Sequence, residues 1–115
     1  MKYRIPISQQ IVMYLRGSPV GKIKKELQKA ERHSLDLDGA TLEAQFLCEG
    51  DITDYTDSMI YAQKNGISLD KQRAAACQLA ITKEGIPLLN KLKEMKEKGI
   101  LDINDFFWGG PNHSE

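Results

Sequence analysis

Shifted by 32 residues, this chain falls on itself in chemistry more than in identity. Val20 lands on Ile52, Ile23 on Tyr55, Leu27 on Met59 and Ala30 on Ala62. Leu35 lands on Ile67, Leu37 on Leu69, Asp38 on Asp70, Ala44 on Ala76 and Leu47 on Leu79. Backwards, Tyr14-Leu15 matches Phe46-Leu47. Forwards, with one residue inserted, Tyr55, Met59, Ala62, Gly66 and Ile67 map onto Leu88, Leu92, Met95, Gly99 and Ile100. A 32-residue unit is the size of one αα-hairpin in helical arrays, and one hairpin cannot bury its own apolar face. The competing explanation is chance likeness between amphipathic helices.

The units read as helices because apolar residues recur every three or four positions between capping signals. An early helix covers roughly residues 8–16, with Ile11, Val12 and Leu15 inward. Ser18-Pro19 reads as an N-cap hydroxyl followed by proline at the first helical position. Val20, Ile23, Leu27 and Ala30 follow, up to His33-Ser34. Asp38 caps a helix carrying Leu42, Phe46 and Leu47, which Gly50 breaks. Asp51 caps the next, with Ile52, Tyr55, Met59 and Ala62, and Asn65-Gly66 stops it. Asp70 caps one with Ala74, Cys77 and Leu79. Pro87 opens the last, with Leu88, Leu92 and Met95, closed by Gly99. The expectation is an all-α fold: a compact bundle of about six short helices arranged as tandem αα-hairpins. Residues 1–108 form one domain and 109–115 a flexible tail.

Several function classes lose support at this level. Sixteen basic residues balance sixteen acidic ones, and dedicated nucleic-acid binders usually carry a basic excess. Cys48 and Cys77 form no C-x-x-C pair, so zinc and redox motifs have no footing, and both are expected as small buried residues. No apolar run approaches the ~20 residues that span a bilayer, and the polar start is no signal-peptide core. A cytoplasmic protein is expected, and no cofactor is called for.

Candidate chemistry is sparse. His33 and His113 are the only imidazoles; the first sits at a helix end and the second in the tail, so no nucleophile–base–orienter set is visible. The expectation is a protein that is not an enzyme. Between Ser34 and Gln63 there is no basic residue but seven acids: Asp36, Asp38, Glu43, Glu49, Asp51, Asp54 and Asp57. Asp36-x-Asp38-Gly39 fails as a calcium loop, because the glycine is misplaced and Leu47 holds the twelfth position. These acids read instead as caps and first-turn residues favoured by helix dipoles.

Two clusters remain. Lys22, Lys25, Lys29 and Arg32 share a helix face that could touch phosphate or an anionic membrane surface. Phe106-Phe107-Trp108 gathers three of the eight aromatics just before Gly109-Gly110-Pro111. These rings either fold back over Leu88, Leu92 and Met95 as a cap or anchor a partner. The leading expectation is a non-catalytic protein-interaction module: an adaptor, inhibitor or assembly subunit that binds another protein or itself. The alternative is a small nucleic-acid-binding regulator in which residues 52–80 act as a helix-turn-helix with Lys71, Gln72 and Arg73 toward the bases. Asp51, Asp54 and Asp57 on the preceding helix would repel phosphates there.

The stretch from Met13 to about Ile86 resembles a known family. Met13-Tyr14-Leu15-Arg16, Pro19 and Ile23 open the resemblance. Leu35-Asp36-Leu37, Leu42-Glu43, Phe46-Leu47 and Gly50-Asp51-Ile52 continue it. Its best stretch runs from Met59-Ile60-Tyr61-Ala62-Gln63-Lys64 through Ile67-Ser68-Leu69 to Arg73-Ala74-Ala75-Ala76 and Leu79-Ala80. Together these resemble the membrane-proximal helical segment of bacterial flotillin-like proteins of the FloA type. In those proteins the segment lies between the membrane anchor and the SPFH (band-7) domain, parts expected to be absent here. The family has Ala-Gly-Gly where this chain has Cys48-Glu49-Gly50, an aromatic in place of Lys71 and Asp in place of Gln78. The resemblance implies a helical module and supplies no catalytic or ligand residue.

Overall fold

The computed structural model describes residues 3–101. It contains six helices: α1 Ile7–Leu15, α2 Val20–Arg32, α3 Gly39–Leu47, α4 Ile52–Asn65, α5 Lys71–Thr82 and α6 Leu88–Lys98. No strand forms among the described residues. The starts of α1, α3 and α5 are 32 residues apart, as are those of α2 and α4, whereas α6 starts 36 after α4.

Helix starts divide into two chemical kinds. Asp38, Asp51 and Asp70 stand at the N-caps of α3, α4 and α5. Their carboxylates accept from Thr41 N (2.8 Å), from Thr53 N and Asp54 N (3.0 and 3.1 Å) and from Arg73 N (2.7 Å). Each satisfies backbone donors that a helix leaves unpaired. The starts of α1, α2 and α6 follow Pro6, Pro19 and Pro87, with no capping side chain of their own. Two stops are left-handed glycines, Gly66 (φ 69°) and Gly99 (φ 76°), a conformation that costs glycine nothing.

Helix α4 is the centre of the packing: α2, α3, α5 and α6 all lie against it, and α1 rests on α2. One apolar cluster joins Ile5, Met13, Ile23, Leu27, Leu37, Leu42, Ile52, Tyr55 and Met59, among others. A second joins Ala62, Ile67, Cys77, Ile81, Leu88, Leu92 and Met95. Helix α4 contributes to both, so the two clusters share one spine. Burial pushes the Cys77 thiol up to about 11 and, with nearby Asp70 and Asp38, the Tyr55 phenol up to about 12.

Several polar groups inside this packing are satisfied by long-range bonds. Gln78, 1% exposed, accepts from Gln45 Nε2 (2.7 Å) and Asp51 N (3.1 Å) and donates to Asp54 Oδ2 (3.3 Å). A Cβ on Gly50 would sit 2.7 Å from Gln78 Oε1 and 2.8 Å from Gln45 Nε2, so the position has room only for glycine. The Asp54 carboxylate accepts from Leu88 N (2.7 Å) and Leu89 N (3.1 Å). Asp54 is thus the missing cap of α6, supplied from another helix.

Four sequence expectations are corrected here. Ile11, Val12 and Leu15 are 55%, 44% and 76% exposed; Met13 is the α1 residue that is buried. Leu47 is 51% exposed, because α3 turns Leu42 and Gln45 inward instead. Ser18 does not cap α2; its hydroxyl donates to Glu43 Oε2 at 2.7 Å. Cys48 is exposed, and only Cys77 is buried.

Candidate interaction surface

Helix α1 is a short apolar rod pinned at its two ends. At its entry, Ile5 packs on Gly39, whose absent side chain would come within 3.1 Å of Ile5 Cγ1. Met13, fully buried, ties the middle of the rod to the core. At the exit, Arg16 grips Glu43 with two bonds, Nη2 to Oε1 at 2.7 Å and Nε to Oε2 at 3.1 Å. Bidentate pairs of this kind are both strong and directional. The bonds from Arg16 and Ser18, against the opposing effect of burial, hold the Glu43 carboxyl below the usual carboxylate range. The same bond to Glu43 raises the Arg16 guanidinium.

Apart from Ser8, Gln9 and Gln10, what remains of α1 is apolar and faces outward. Ile7, Tyr14 and Leu15 are about three-quarters exposed, and Ile11 and Val12 about half. They form two adjacent rows, Ile7–Ile11–Tyr14 and Ser8–Val12–Leu15, at the 4-3 spacing of one helix face. Helix α1 contains no charged residue. Against the first row lies a shallow cup of about 290 Å³ lined by Ile7, Gln10, Ile11, Tyr14 and Val20. The Gln10 amide that borders the cup already donates to Ile5 O at 2.8 Å, so the surface offers few unmet polar groups. The sequence carried one signal of this face: Val12-Met13-Tyr14-Leu15 points apolar groups in every direction, which a helix with a single buried side does not need.

The basic cluster of α2 is divided by the structure. Lys22, Lys25 and Arg32 are exposed. Lys29 is half-buried, 2.7 Å from Asp57 and 3.0 Å from Glu26. Burial pulls its ammonium down, but the two carboxylates outweigh this and its pKa is raised. Phe106, Phe107, Trp108 and His113 lie outside the described residues. In the helix-turn-helix reading, Lys71 instead reaches Asp36 (3.2 Å) and Arg73 lies 3.9 Å from Asp70.

The acidic stretch is accounted for mostly by internal partners. Asp38 and Asp51 cap helices, Asp54 caps α6 from across the core, Glu43 holds Arg16 and Ser18, and Asp57 holds Lys29. Among the described residues no three His, Cys, Asp or Glu side chains are grouped to hold a metal ion. A second groove, about 450 Å³, runs between α3 and α5 past Ala44, Cys48, Ala75 and Leu79. No helix among the described residues is long and apolar enough to cross a membrane.

Comparison with known proteins agrees with the sequence resemblance. A flotillin-like protein FloA from Alkaliphilus metalliredigens (strain QYMF) is 37% identical over 67 residues, which are 58% of this chain and 20% of that protein. The chain therefore spans about a fifth of the length of this curated relative. No solved structure matches it significantly. The family described as flotillin-like protein FloA matches residues 1–92, from the entry of α1 into α6, and on that match the chain belongs to the FloA family.

Proposed function

We propose that the chain is a non-catalytic, cytoplasmic interaction module, an assembly subunit that binds protein through the outward face of α1. The observation that carries this reading is the uncovered apolar face of Ile7, Ile11, Tyr14 and Leu15 on an uncharged helix held to the core by Met13. Scattered apolar residues on a surface need no explanation, but a contiguous face of this extent marks a contact. Its membership of the FloA family supports a flotillin-like assembly as the partner. The test is binding of this chain to a purified FloA-type flotillin-like protein, followed by light scattering or surface capture. Ile11→Asp and Tyr14→Asp are expected to weaken that binding at least ~10-fold, as substitutions at the centre of an interface do. Binding unchanged by both would overturn the reading.

The exposed cations Lys22, Lys25 and Arg32 support a second contact, with an anionic membrane surface. Each such residue near the surface adds about 1 kcal/mol and acts within a Debye length. Co-sedimentation with phosphatidylserine vesicles should fall steeply as salt rises and should drop on Lys22→Ala with Lys25→Ala. Vesicle binding insensitive to salt would count against this contact.

A further inference from the structure

We propose that the groove between α3 and α5 is the docking site of the chain's own aromatic segment, Phe106-Phe107-Trp108. The groove shares no residue with the α1 face, so this contact stands or falls separately from that one.

Two helix faces make the groove. Thr41, Ala44 and Cys48 follow one another at three or four residues on α3, and Lys71, Ala75 and Leu79 at four on α5, the spacing of one helix face. Lys71 bonds Asp36 ahead of α3, and Gln78 accepts from Asp51 N just after it. The two helices therefore run side by side in one direction, with Thr41 and Lys71 at one end of the groove and Cys48 and Leu79 at the other. The polar groups of its floor are already engaged. The Tyr55 hydroxyl donates to Lys71 O at 3.2 Å, and the Gln45 amide donates to Gln78 Oε1 at 2.7 Å and Ala75 O at 3.3 Å. What the walls leave open is short and apolar: Ala44, Ala75 and Leu79. The space, about 450 Å³, is on the scale of a small-ligand site. Phenylalanine rings bring large apolar area and ask for no hydrogen bond there.

Three observations select this occupant. The first is where the described chain ends. Ser68 N donates to Leu101 O at 2.6 Å, and Ser68 lies two residues before the Asp70 cap of α5. The chain therefore leaves beside the Lys71 end of the groove. The second is reach. Phe106 is five residues beyond Leu101 and Trp108 seven, an extended span of roughly 17–25 Å. From Lys71 to Leu79 the groove wall is about 12 Å long at the helical rise. The third is charge. Asp102 and Asp105 are the charged residues between Leu101 and the rings. Lys71 is the charged residue lining the groove, and it stands where the segment arrives. Its ammonium has three donors, and its pairing with Asp36 is an exposed one. Carboxylates thus meet a cation first and rings meet apolar walls beyond, in the order the sequence presents them. A tether this short holds the rings at roughly millimolar effective concentration, so a contact too weak between separate molecules forms within one. A groove filled in this way is closed to other apolar peptides.

The whole chain carries its own probes. Trp108 is its one tryptophan. Cys48, at the far end of the groove, is exposed, and Cys77 is buried. A nitroxide attached to Cys48 quenches a tryptophan at contact range. The expected result is blue-shifted Trp108 emission that does not change with protein concentration and is strongly quenched by the Cys48 label. A label on Gln28→Cys in a Cys48→Ser background, exposed on α2, should quench far less. Ala44→Glu, at an exposed position of α3, sets an unpaired carboxylate against the rings and should shift the docked-to-free ratio at least ~10-fold toward free. Its emission should move to the red and its quenching fall, with the far-UV spectrum unchanged. Phe106→Ser with Phe107→Ser should do the same without touching α3 or α5. Water-like emission from the unaltered chain overturns the proposal. So does blue-shifted emission that the Cys48 label leaves unquenched, or that both Ala44→Glu and the double serine variant leave in place. Quenching that appears only as protein concentration rises assigns the groove to a segment from another molecule and overturns docking within one chain.

Discussion

Helices α1 and α6 are the first and last of the described helices, nearly equal in length and both rich in large apolar residues, yet they end in opposite situations. Helix α6 spaces Leu88, Leu92 and Met95 on one fully buried stripe and, apart from the half-buried Leu89, fills the rest with Lys, Glu and Asn. Helix α1 has more apolar groups than one stripe can hold. It buries Met13 and leaves Ile7, Ile11, Val12, Tyr14 and Leu15 open. The number of apolar residues does not decide burial; their angular spread does. A stripe is consumed by the helix's own fold, and a surplus on other faces points outward. The second difference lies at the starts. Both helices follow proline and lack a capping side chain, but α6 receives a buried carboxylate from Asp54, whereas Pro6 and Ile7 face solvent.

The largest effect expected from this contrast is in the core. Leu92→Ala should lower the unfolding free energy by about 2–5 kcal/mol, the range for emptying a packed site. Ile11→Ala should change it by no more than about 0.5 kcal/mol, as exposed positions do. Urea unfolding at low protein concentration measures both. A large loss from Ile11→Ala would mean that α1 is covered in solution by the chain itself.

Asp54 is the next lever. Asp54→Ala removes the acceptor for Leu88 N and Leu89 N and one partner of the Gln78 amide. Leaving buried donors unpaired costs about 1–3 kcal/mol. The loss should be local first, with amide exchange in the first turn of α6 accelerating more than that of α2. Equal acceleration throughout would show that α6 does not depend on this cap.

How far these two helices could be read in advance follows from where their information lies. Asp38, Asp51 and Asp70 act on donors two or three residues away, so spacing along the chain names both partners. Gly66 and Gly99 are local in the same sense. The cap of α6 comes from Asp54, 34 residues upstream, and as a first-turn acid of α4 it already had an adequate local explanation. The one hint was negative: a helix opening on Pro87 without a Ser, Thr, Asp or Asn to serve it. Ser18 misled for the mirror reason. It stands where a cap belongs, but a buried Glu43 from α3 claims its hydroxyl. In α1 the periodicity was sound and the side was wrong. Ile11, Val12 and Leu15 share a face with one another, and only tertiary packing shows that Met13, on another face, is the one turned inward. The split of Lys29 from Lys22, Lys25 and Arg32 also depends on a distant residue, Asp57.

A pH test probes the pin that holds α1. The Glu43 carboxyl has a folded pKa below its ordinary value of 4.5. The folded state therefore binds the proton less readily than the unfolded chain. Its contribution is complete above that ordinary value and is lost as the pH falls through the lower folded value. Glu43→Gln should cost about 1–2 kcal/mol at neutral pH, a modest figure because Arg16 is half exposed and can return to water. The difference between the two proteins should shrink on acidification. A gap that stays constant from neutral pH down through the acid transition would remove Glu43 from the account.

The smallest expected effect tests whether the 32-residue interval reflects equivalent structural units or only evenly spaced helix starts. Asp38 and Asp70 occupy the N-caps of α3 and α5 and each accepts from the residue three positions on, at 2.8 and 2.7 Å. Loss of such a cap costs about 1 kcal/mol. If the pairs α2–α3 and α4–α5 are equivalent, Asp38→Ala and Asp70→Ala should cost the same to within about 0.5 kcal/mol, the scatter expected of independent sites. The comparison is best made away from acid, where the Asp38 cap weakens. Backbone and side-chain hydrogen bonds from Thr41 hold the Asp38 carboxyl below its ordinary 3.8, so its contribution is present above that value and fades as the pH falls below it. Neutral-pH urea unfolding is therefore the condition for the comparison. Equal losses there, together with matched losses for Leu27→Ala and Met59→Ala at the corresponding core positions, would make the interval a structural repeat. Unequal losses at both the cap and the core would leave it as an even spacing of starts around a single central helix, α4.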